Sequence, residues 1–146
     1  MIKKIIFIVG IVSILAACGC IGSSLNNNPP ERIKDISVIK DASGYQTYFI
    51  LADKEGQETT SDGSFKIVIS KGSGYYSLKN NVTASKFQKA KLGMGNFQHE
   101  AIICNIGIIP KSNVEKYLGD SGMAEVKLYF TTPDNRTLEG DETIFL

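Results

Sequence analysis

Apolar and polar residues alternate along several short stretches of this chain, as they do in strands that bury one face. The clearest stretch is 124–130, where Ala, Val, Leu and Phe alternate with Glu, Lys and Tyr. Residues 65–69 alternate in the same way, and in 102–108 every second residue is apolar through Ile108. We predict further strands at Ile33–Lys40, Tyr45–Leu51, Tyr75–Lys79, around Val82 and at Glu142–Leu146.

Turn-forming residues separate these stretches, and only one segment has helical character. Clusters of Gly, Asp, Asn and Ser predict turns at 42–44, 53–56, 61–63, 71–74 and 133–135. The helical segment is Pro110–Leu118, where Ser112 and Glu115 have the spacing of a capping box and Gly119 predicts the end of the helix. We expect this helix to bridge two sheets.

Short strands with many turns and little helix predict an all-β protein, an antiparallel sandwich of about seven strands with one short helix. A long inner strand, a helix and then Gly119-Asp120-Ser121-Gly122 before a final hairpin resemble bacterial immunoglobulin-like and fibronectin type III-like modules. The chain lacks tryptophan and a cysteine pair spanning the sheets, so the resemblance implies only the general architecture. The alternative fold is a small open β-barrel of the oligonucleotide-binding kind.

The first residues have a different pattern, that of an export signal. Lys3 and Lys4 precede a run without charges, Ile5–Ala17, which is closed by Leu15-Ala16-Ala17-Cys18. At 1.5 Å per residue this run is too short to cross ~30 Å of hydrocarbon as a helix. We therefore predict that residues 1–17 are a cleaved signal peptide.

Residues Leu15–Cys18 resemble the lipobox of prokaryotic lipoproteins, in which a cysteine receives a diacylglycerol thioether. The resemblance implies that Cys18 is lipidated. Cys20 is the alternative, because Gly19–Gly22 resembles the lipidation site of archaeal lipoproteins. The leader and the high content of Ile, Lys and Asn resemble those of methanogen lipoproteins, but low-GC bacteria share this composition, so the host stays open. Two acyl chains suffice for stable anchoring. The expected location is the extracytoplasmic face of the cell membrane.

Length and charge limit the nature of the mature chain. Residues 18–30 contain turn formers and two prolines and are predicted to be a tether, whereas 31–146 is long enough for one β-sandwich domain. The leader removes two lysines and no acid, which leaves 14 basic against 15 acidic residues. A nearly neutral domain lacks the basic stripe that phosphate recognition needs, so we expect no nucleic-acid partner.

Chemically reactive residues are sparse. The single histidine, His99, has no nucleophile elbow beside it, and no cluster of His and Cys has metal-ligand spacing. Asp53, Glu55 and Gln57 alternate beside Gly56 as calcium ligands would, but the positions of the glycine and of the last ligand do not fit a calcium loop. We therefore expect no catalytic site, no metal and no cofactor.

Two sequons, at Asn81 and Asn135, are candidate N-glycosylation sites if the host glycosylates exported chains. Cys104 lies in an apolar run and is expected to be a buried hydrophobic residue rather than a reactive thiol. Tyr75 and Tyr76 are adjacent, so a strand can present only one of them as a binding platform.

These observations favour a lipid-anchored, non-catalytic surface module that binds a protein or glycan partner or helps to organise the envelope. The alternative is a small envelope enzyme using Asp53, Glu55 or Asp62, or a protease inhibitor with an extended loop. Solute capture for a transporter is a third class, but it needs two lobes.

Overall fold

The structure, a computed structural model, describes residues 25–146. The predicted signal peptide, both candidate lipidation cysteines and the first part of the predicted tether lie outside the described residues. The strands are β1 (Arg32–Lys40), β2 (Gly44–Ala52), β3 (Glu58–Thr59), β4 (Gly63–Lys71), β5 (Gly74–Val82), β6 (Phe87–Leu92), β7 (His99–Pro110), β8 (Met123–Thr131) and β9 (Thr137–Phe145). The helix is α1 (Lys111–Leu118), and the 3-10 turns are Ala84–Lys86 and Gly95–Phe97.

The strands form two antiparallel sheets. The first sheet has the order β1-β2-β7-β6, with β3 paired to the end of β2, and the second has the order β5-β4-β8-β9. The sheets are not closed into a barrel, so the expectation of an all-β sandwich with one short helix is confirmed and the barrel alternative is wrong for these residues. Alternation explains the main core, because one face of each sheet carries the apolar residues that meet the other sheet. The first sheet also buries a smaller cluster of Ile50, Ala90, Leu92, Ala101 and Ile103.

Four phenylalanines form the centre of the core. Phe49 of the first sheet lies 5.7 Å from Phe130 and 6.2 Å from Phe65 of the second sheet, measured between ring centroids. Phe87 meets Phe49 edge to face at 5.8 Å. Such tilted and edge-to-face pairs contribute stability beyond the apolar area that they bury, so this cluster fixes how the two sheets face each other.

The helix connects the two sheets, as expected. It follows β7 of the first sheet, precedes β8 of the second, and buries Val114 and Leu118. The predicted capping box is wrong: Ser112 is already inside the helix, and Pro110, which precedes it, makes no side-chain cap. The predicted end is confirmed, because the N–H of Gly119, at a φ of 78°, donates to the carbonyl of Glu115.

One apolar position lies on the opposite face from the one that alternation predicts. A bulge in β7 leaves Ile106 unpaired between Asn105 and Gly107, and Gly107 has a φ of 97°. The extra residue reverses the faces of the residues after it, so Ile109 is buried and Ile108 is half exposed.

The sandwich has two distinct ends, an N-terminal end and a helix end. At the N-terminal end, β1 starts, β2 ends, and the tip of the β6–β7 hairpin projects. At the helix end, β1 and β9 finish beside α1 and the β4–β5 turn. Strands of nine residues separate the ends by roughly 27 Å.

Part of the predicted tether is held against the sandwich. The carbonyl of Asn26 accepts hydrogen bonds from the N–H (2.9 Å) and the hydroxyl (3.0 Å) of Thr60. The carbonyl of Asn28 accepts from the hydroxyl of Thr59, and the N–H of Glu31 donates to Ala52. The chain is thus fastened to the N-terminal end of the domain from Asn26 onward.

Candidate functional site

The two sheets leave an open seam between their edge strands β1 and β9. Both strands run from the N-terminal end to the helix end, and they pack closely at Gly140, where an added Cβ would be 2.9 Å from the Cδ1 of Ile36. Beyond that point they diverge around a groove of about 380 Å³, which we call the seam groove. It is lined by Ser37–Lys40, Tyr45 and Glu142–Phe145.

Tyr45, one of the residues that line this groove, has an unusual polar atom. Its side chain is 1% exposed, and its hydroxyl is buried without a hydrogen-bond partner among the residues that the structure describes. Burial raises the pKa of Tyr45, and the negative charge of Glu115 raises it further, so the group stays neutral. A buried hydroxyl without a partner costs ~1–3 kcal/mol, which makes it a feature that calls for an explanation.

Two charged residues occupy inward-facing positions of the same edge strands. In β9, Glu142 is in phase with Leu138 and Ile144, both of which are buried. In β1, Lys40 is in phase with Ile36 and lies opposite Tyr45 in the register. No ion pair joins Lys40 to Glu142 in the described part of the chain, so both charges face an open groove.

The groove combines apolar side chains with free backbone. Val38 and Ile144 supply apolar surface. Each edge strand pairs on only one side among the described residues, so the other side of its backbone presents N–H and C=O groups. A segment in an extended conformation has the complementary backbone groups, and it can place apolar side chains on the same surface.

A second groove, of about 800 Å³, surrounds Asp53 at the N-terminal end. Asp53 is 3% exposed; one carboxylate oxygen accepts from the side-chain amides of Asn26 (3.0 Å) and Asn28 (3.1 Å). The other oxygen accepts from the N–H groups of Glu55 and Gln57. These hydrogen bonds, chiefly that from Asn26, lower the pKa of Asp53. The carboxylate that resembled a calcium ligand in the sequence instead closes a turn and fastens the N-terminal segment.

Of the three carboxylates proposed for an enzyme, Asp53 and Asp62 are used in structural contacts, whereas Glu55 lies exposed in the turn beside Asp53. Glu58, beside Asp53, accepts from Lys34 and from the N–H of Ile102, both at 2.8 Å. Asp62 accepts from the N–H of Ala84, the first residue of a 3-10 turn. These contacts hold strands and turns together, and they leave these acids fewer free lone pairs for a substrate.

A patch of tyrosines lies at the helix end, beside the β4–β5 turn. Tyr75 points outward and is largely exposed, whereas Tyr76 points inward and packs on Tyr117 with ring centroids 6.3 Å apart. Only one of the adjacent pair is therefore available, as alternation predicts. The Lys116 ammonium lies 5.5 Å from the centre of the Tyr117 ring. Tyr75, Tyr117 and the serines nearby form a shallow apolar and polar surface.

The other residues predicted from the sequence are scattered. Asn81, near the end of β5, and Asn135, in the β8–β9 turn, are both exposed at the N-terminal end of the sandwich. His99 is exposed at the start of β7. Cys104 is buried in the core, and burial raises the pKa of its thiol to about 12, which makes it unreactive at neutral pH.

Sequence reasoning did not single out Tyr45, Lys40 or Glu142. The only signal was the position of Glu142, which has the same strand phase as the buried residues Leu138 and Ile144. An inward-facing charge near the end of an edge strand is a known way of marking an open edge, but it reads from the sequence as an ordinary surface residue.

Within residues 25–146, no group of three or more His, Cys, Asp and Glu side chains is arranged to hold a metal ion. No helix of this part of the chain has the length and apolar character needed to cross a bilayer. In comparisons with known proteins, no family model matches the chain, and neither a curated protein nor a solved structure is significantly similar to it.

Proposed function

We propose that this protein is a lipid-anchored, non-catalytic binding module on the extracytoplasmic face of the cell membrane. In this proposal, Cys18 or Cys20 carries the lipid and the β-sandwich binds an extended segment of a partner protein in the seam groove. The observation that carries the binding part is the seam groove itself, where two edge strands with free backbone, apolar side chains and the charges of Lys40 and Glu142 meet.

The direction of the chain fits such a module. A lipid on Cys18 or Cys20 lies a few residues before Asn26, which is fastened to the N-terminal end of the sandwich. The seam groove opens at the helix end, roughly 27 Å away. The binding surface would therefore face away from the membrane, toward other molecules of the envelope.

Three properties favour an extended peptide as the occupant. Free backbone on β1 and β9 can pair with a peptide main chain, and Val38 and Ile144 can pack against its side chains. Lys40 and Glu142 offer charges of both signs, which discriminate between segments and fix their register.

We further propose that the sandwich is immunoglobulin-like. The two-residue strand β3 is left out of this comparison, and the other eight strands are counted from one to eight in chain order. In that count the order across the first sheet is 1-2-6-5, and the order across the second sheet is 4-3-7-8. The ABED and CFG sheets of immunoglobulin folds have the same order once a C′ strand is added to the second sheet. This order supports the assignment, with β1 and β9 in the places of the first and last strands.

A glycan is the second candidate ligand, and it would bind elsewhere. Tyr75 and Tyr117 expose flat rings beside serine hydroxyls, which is the mixture of apolar and polar surface that sugars need. The alternative of an envelope enzyme or protease inhibitor stays a prediction, and turnover of a substrate by the purified protein would favour it over a binding role.

The anchor is tested by mass spectrometry and membrane fractionation. We expect the mature N-terminus to start at a lipid-modified cysteine, and Cys18→Ser or Cys20→Ser, whichever removes the lipid, to release the protein from membranes. A mature chain that starts at Met1, or that carries unmodified thiols at both positions, would refute the anchor.

The groove is tested by photo-crosslinking in intact cells. A benzophenone amino acid at Lys40, on the β1 wall of the groove, should form an adduct with a defined segment of one partner. Glu142→Lys should abolish the adduct because it changes the charge inside the groove. Asp141→Lys makes the same charge change on the opposite face of β9 and should retain it. Equal loss in both variants, or an adduct that maps to no extended segment, would contradict the groove assignment.

A further inference from the structure

The tip of the β6–β7 hairpin exposes two large apolar side chains. Phe97 is 89% exposed and Met94 is 64% exposed, and both lie in the turn that joins Leu92 to His99. Among the described residues, these are the most exposed large apolar side chains at the N-terminal end of the sandwich.

The turn holds Phe97 outward by its own geometry. Gly93 and Gly95 have φ values of 103° and 57°, and the N–H of Phe97 donates to the carbonyl of Met94 at 3.0 Å. A Cβ at Gly93 would lie 2.2 Å from the carbonyl oxygen of Phe97, so the backbone packs too closely for any other residue. The exposed ring is thus presented by a tight, specified turn.

The hairpin tip lies at the end of the sandwich where the chain arrives. Asn26 and Glu100 line the same groove, so the first fastened residues sit beside the base of the hairpin. From the pair Phe49–Cys104, β2 continues for three residues, whereas β7 continues for five. The tip therefore extends past the end of β2 by about 7 Å plus its turn.

The segment that joins either candidate lipidation cysteine to Asn26 is short. Asn26 is eight residues after Cys18 and six after Cys20. Even fully extended, those residues reach at most ~29 Å and ~22 Å. If either cysteine carries a lipid, the N-terminal end of the sandwich is held next to the membrane surface, with the hairpin tip as its foremost apolar element.

We propose that the β6–β7 hairpin tip inserts Phe97 and Met94 into the interfacial region of the lipid bilayer, as a second membrane contact beside the lipid anchor. The proposal rests on the proposed anchor. Apolar side chains reach ~5–10 Å into the boundary between headgroups and acyl chains, and Lys91, exposed just behind the tip, is placed to meet anionic headgroups. Two contacts would fix the orientation of the sandwich, so that the seam groove faces outward.

The chain contains no tryptophan, so one introduced indole is a unique reporter. The full-length protein is purified from host membranes as the Phe97→Trp variant and reconstituted into vesicles of phosphatidylcholine and phosphatidylglycerol with brominated acyl chains. Tyr75→Trp is the matched control, because Tyr75 is also an exposed aromatic but lies at the helix end. We expect the Phe97→Trp emission to shift to shorter wavelength and to fall by about half, and the control to stay unchanged.

Each other outcome overturns the proposal or confines the failure to one part of it. A lipidated, vesicle-bound Phe97→Trp variant that responds to aqueous acrylamide as the control does would overturn insertion and leave the anchor intact. A blue shift without bromine quenching would overturn insertion in favour of contact with a second protein copy. Bromine quenching of a product that mass spectrometry shows to be unlipidated would support insertion and refute the anchor. An unlipidated product that stays off the vesicles would refute both.

Discussion

Replacing Tyr45 with phenylalanine tests whether the buried hydroxyl beside the seam groove destabilises the folded protein. The tyrosine ring is buried in the core, but its hydroxyl has no partner among the described residues. Tyr45→Phe removes only that oxygen and leaves the ring packing in place. Because a buried hydroxyl without a partner is destabilising, we expect the variant to be more stable than the parent, which is the reverse of most core substitutions.

The size of the effect follows from the cost of burying the group. A buried hydroxyl without a partner costs ~1–3 kcal/mol, and we take ~1 kcal/mol, the lower end of that range. With a urea m value of ~1.5 kcal/mol/M, that gain raises the unfolding midpoint by ~0.7 M. In thermal unfolding it raises Tm by ~4 °C. Urea titration followed by circular dichroism measures the first quantity, and calorimetry the second.

Tyr117→Phe is the control, because the Tyr117 ring is half exposed and its hydroxyl is in reach of solvent. It should change the unfolding free energy by less than ~0.5 kcal/mol. A loss of stability in Tyr45→Phe of more than ~0.5 kcal/mol would mean that the hydroxyl makes a stabilising hydrogen bond in solution, and would refute the expected gain.

Three further predictions concern the seam, the fastened N-terminal segment and the core thiol. Gly140→Ala should destabilise the protein by ~1–3 kcal/mol in urea titration, because its Cβ would meet Ile33 and Ile36, whereas Thr143→Ala on the exposed face of β9 should change little. The lowered pKa of Asp53 contributes stability that is present above its ordinary value of 3.8 and is lost as pH falls through the lower folded value. Asp53→Asn should therefore unfold with a weaker pH dependence below that value, and an unchanged acid titration would contradict the role assigned to Asp53. Iodoacetamide at neutral pH should leave Cys104 unmodified in the folded protein and modify it in concentrated urea, as peptide mass spectrometry would show; labelling at equal rates would mean that the core opens readily.

The strands that were predicted best are those with one face in the core and the other in water. In β8 this alternation is unbroken, so its bounds were nearly right. β6 was missed because Lys89 and Lys91 follow Phe87 on one face of the strand, so that face does not read as apolar. Only Ala90 and Leu92 on the other face are apolar, which is too short a pattern to predict a strand. The first half of β9 was missed because Glu139, Gly140 and Asp141 interrupt the apolar alternation, although Gly140 lies where a larger side chain would meet Ile33 and Ile36 of β1.

The candidate sites were less predictable than the fold because they depend on residues that are distant in sequence. Asp53 reads as a turn residue, and its role appears only when Asn26 and Asn28 fold back over it. The seam groove depends on how far β1 and β9 diverge, which the twist and packing of two sheets decide. Alternation can show that Glu142 faces inward, but it cannot show that the facing strand has moved away.

The parallel course of β1 and β9 also decides how the domain would bear mechanical load. A membrane lipid would pull at the N-terminal end, and a partner in the seam groove would pull at the helix end, so tension would run along β1. Eight residue pairs join β1 to β2, with hydrogen bonds perpendicular to that direction. The ladder would then be sheared as a whole instead of opening one rung at a time, which is the arrangement that resists force longest.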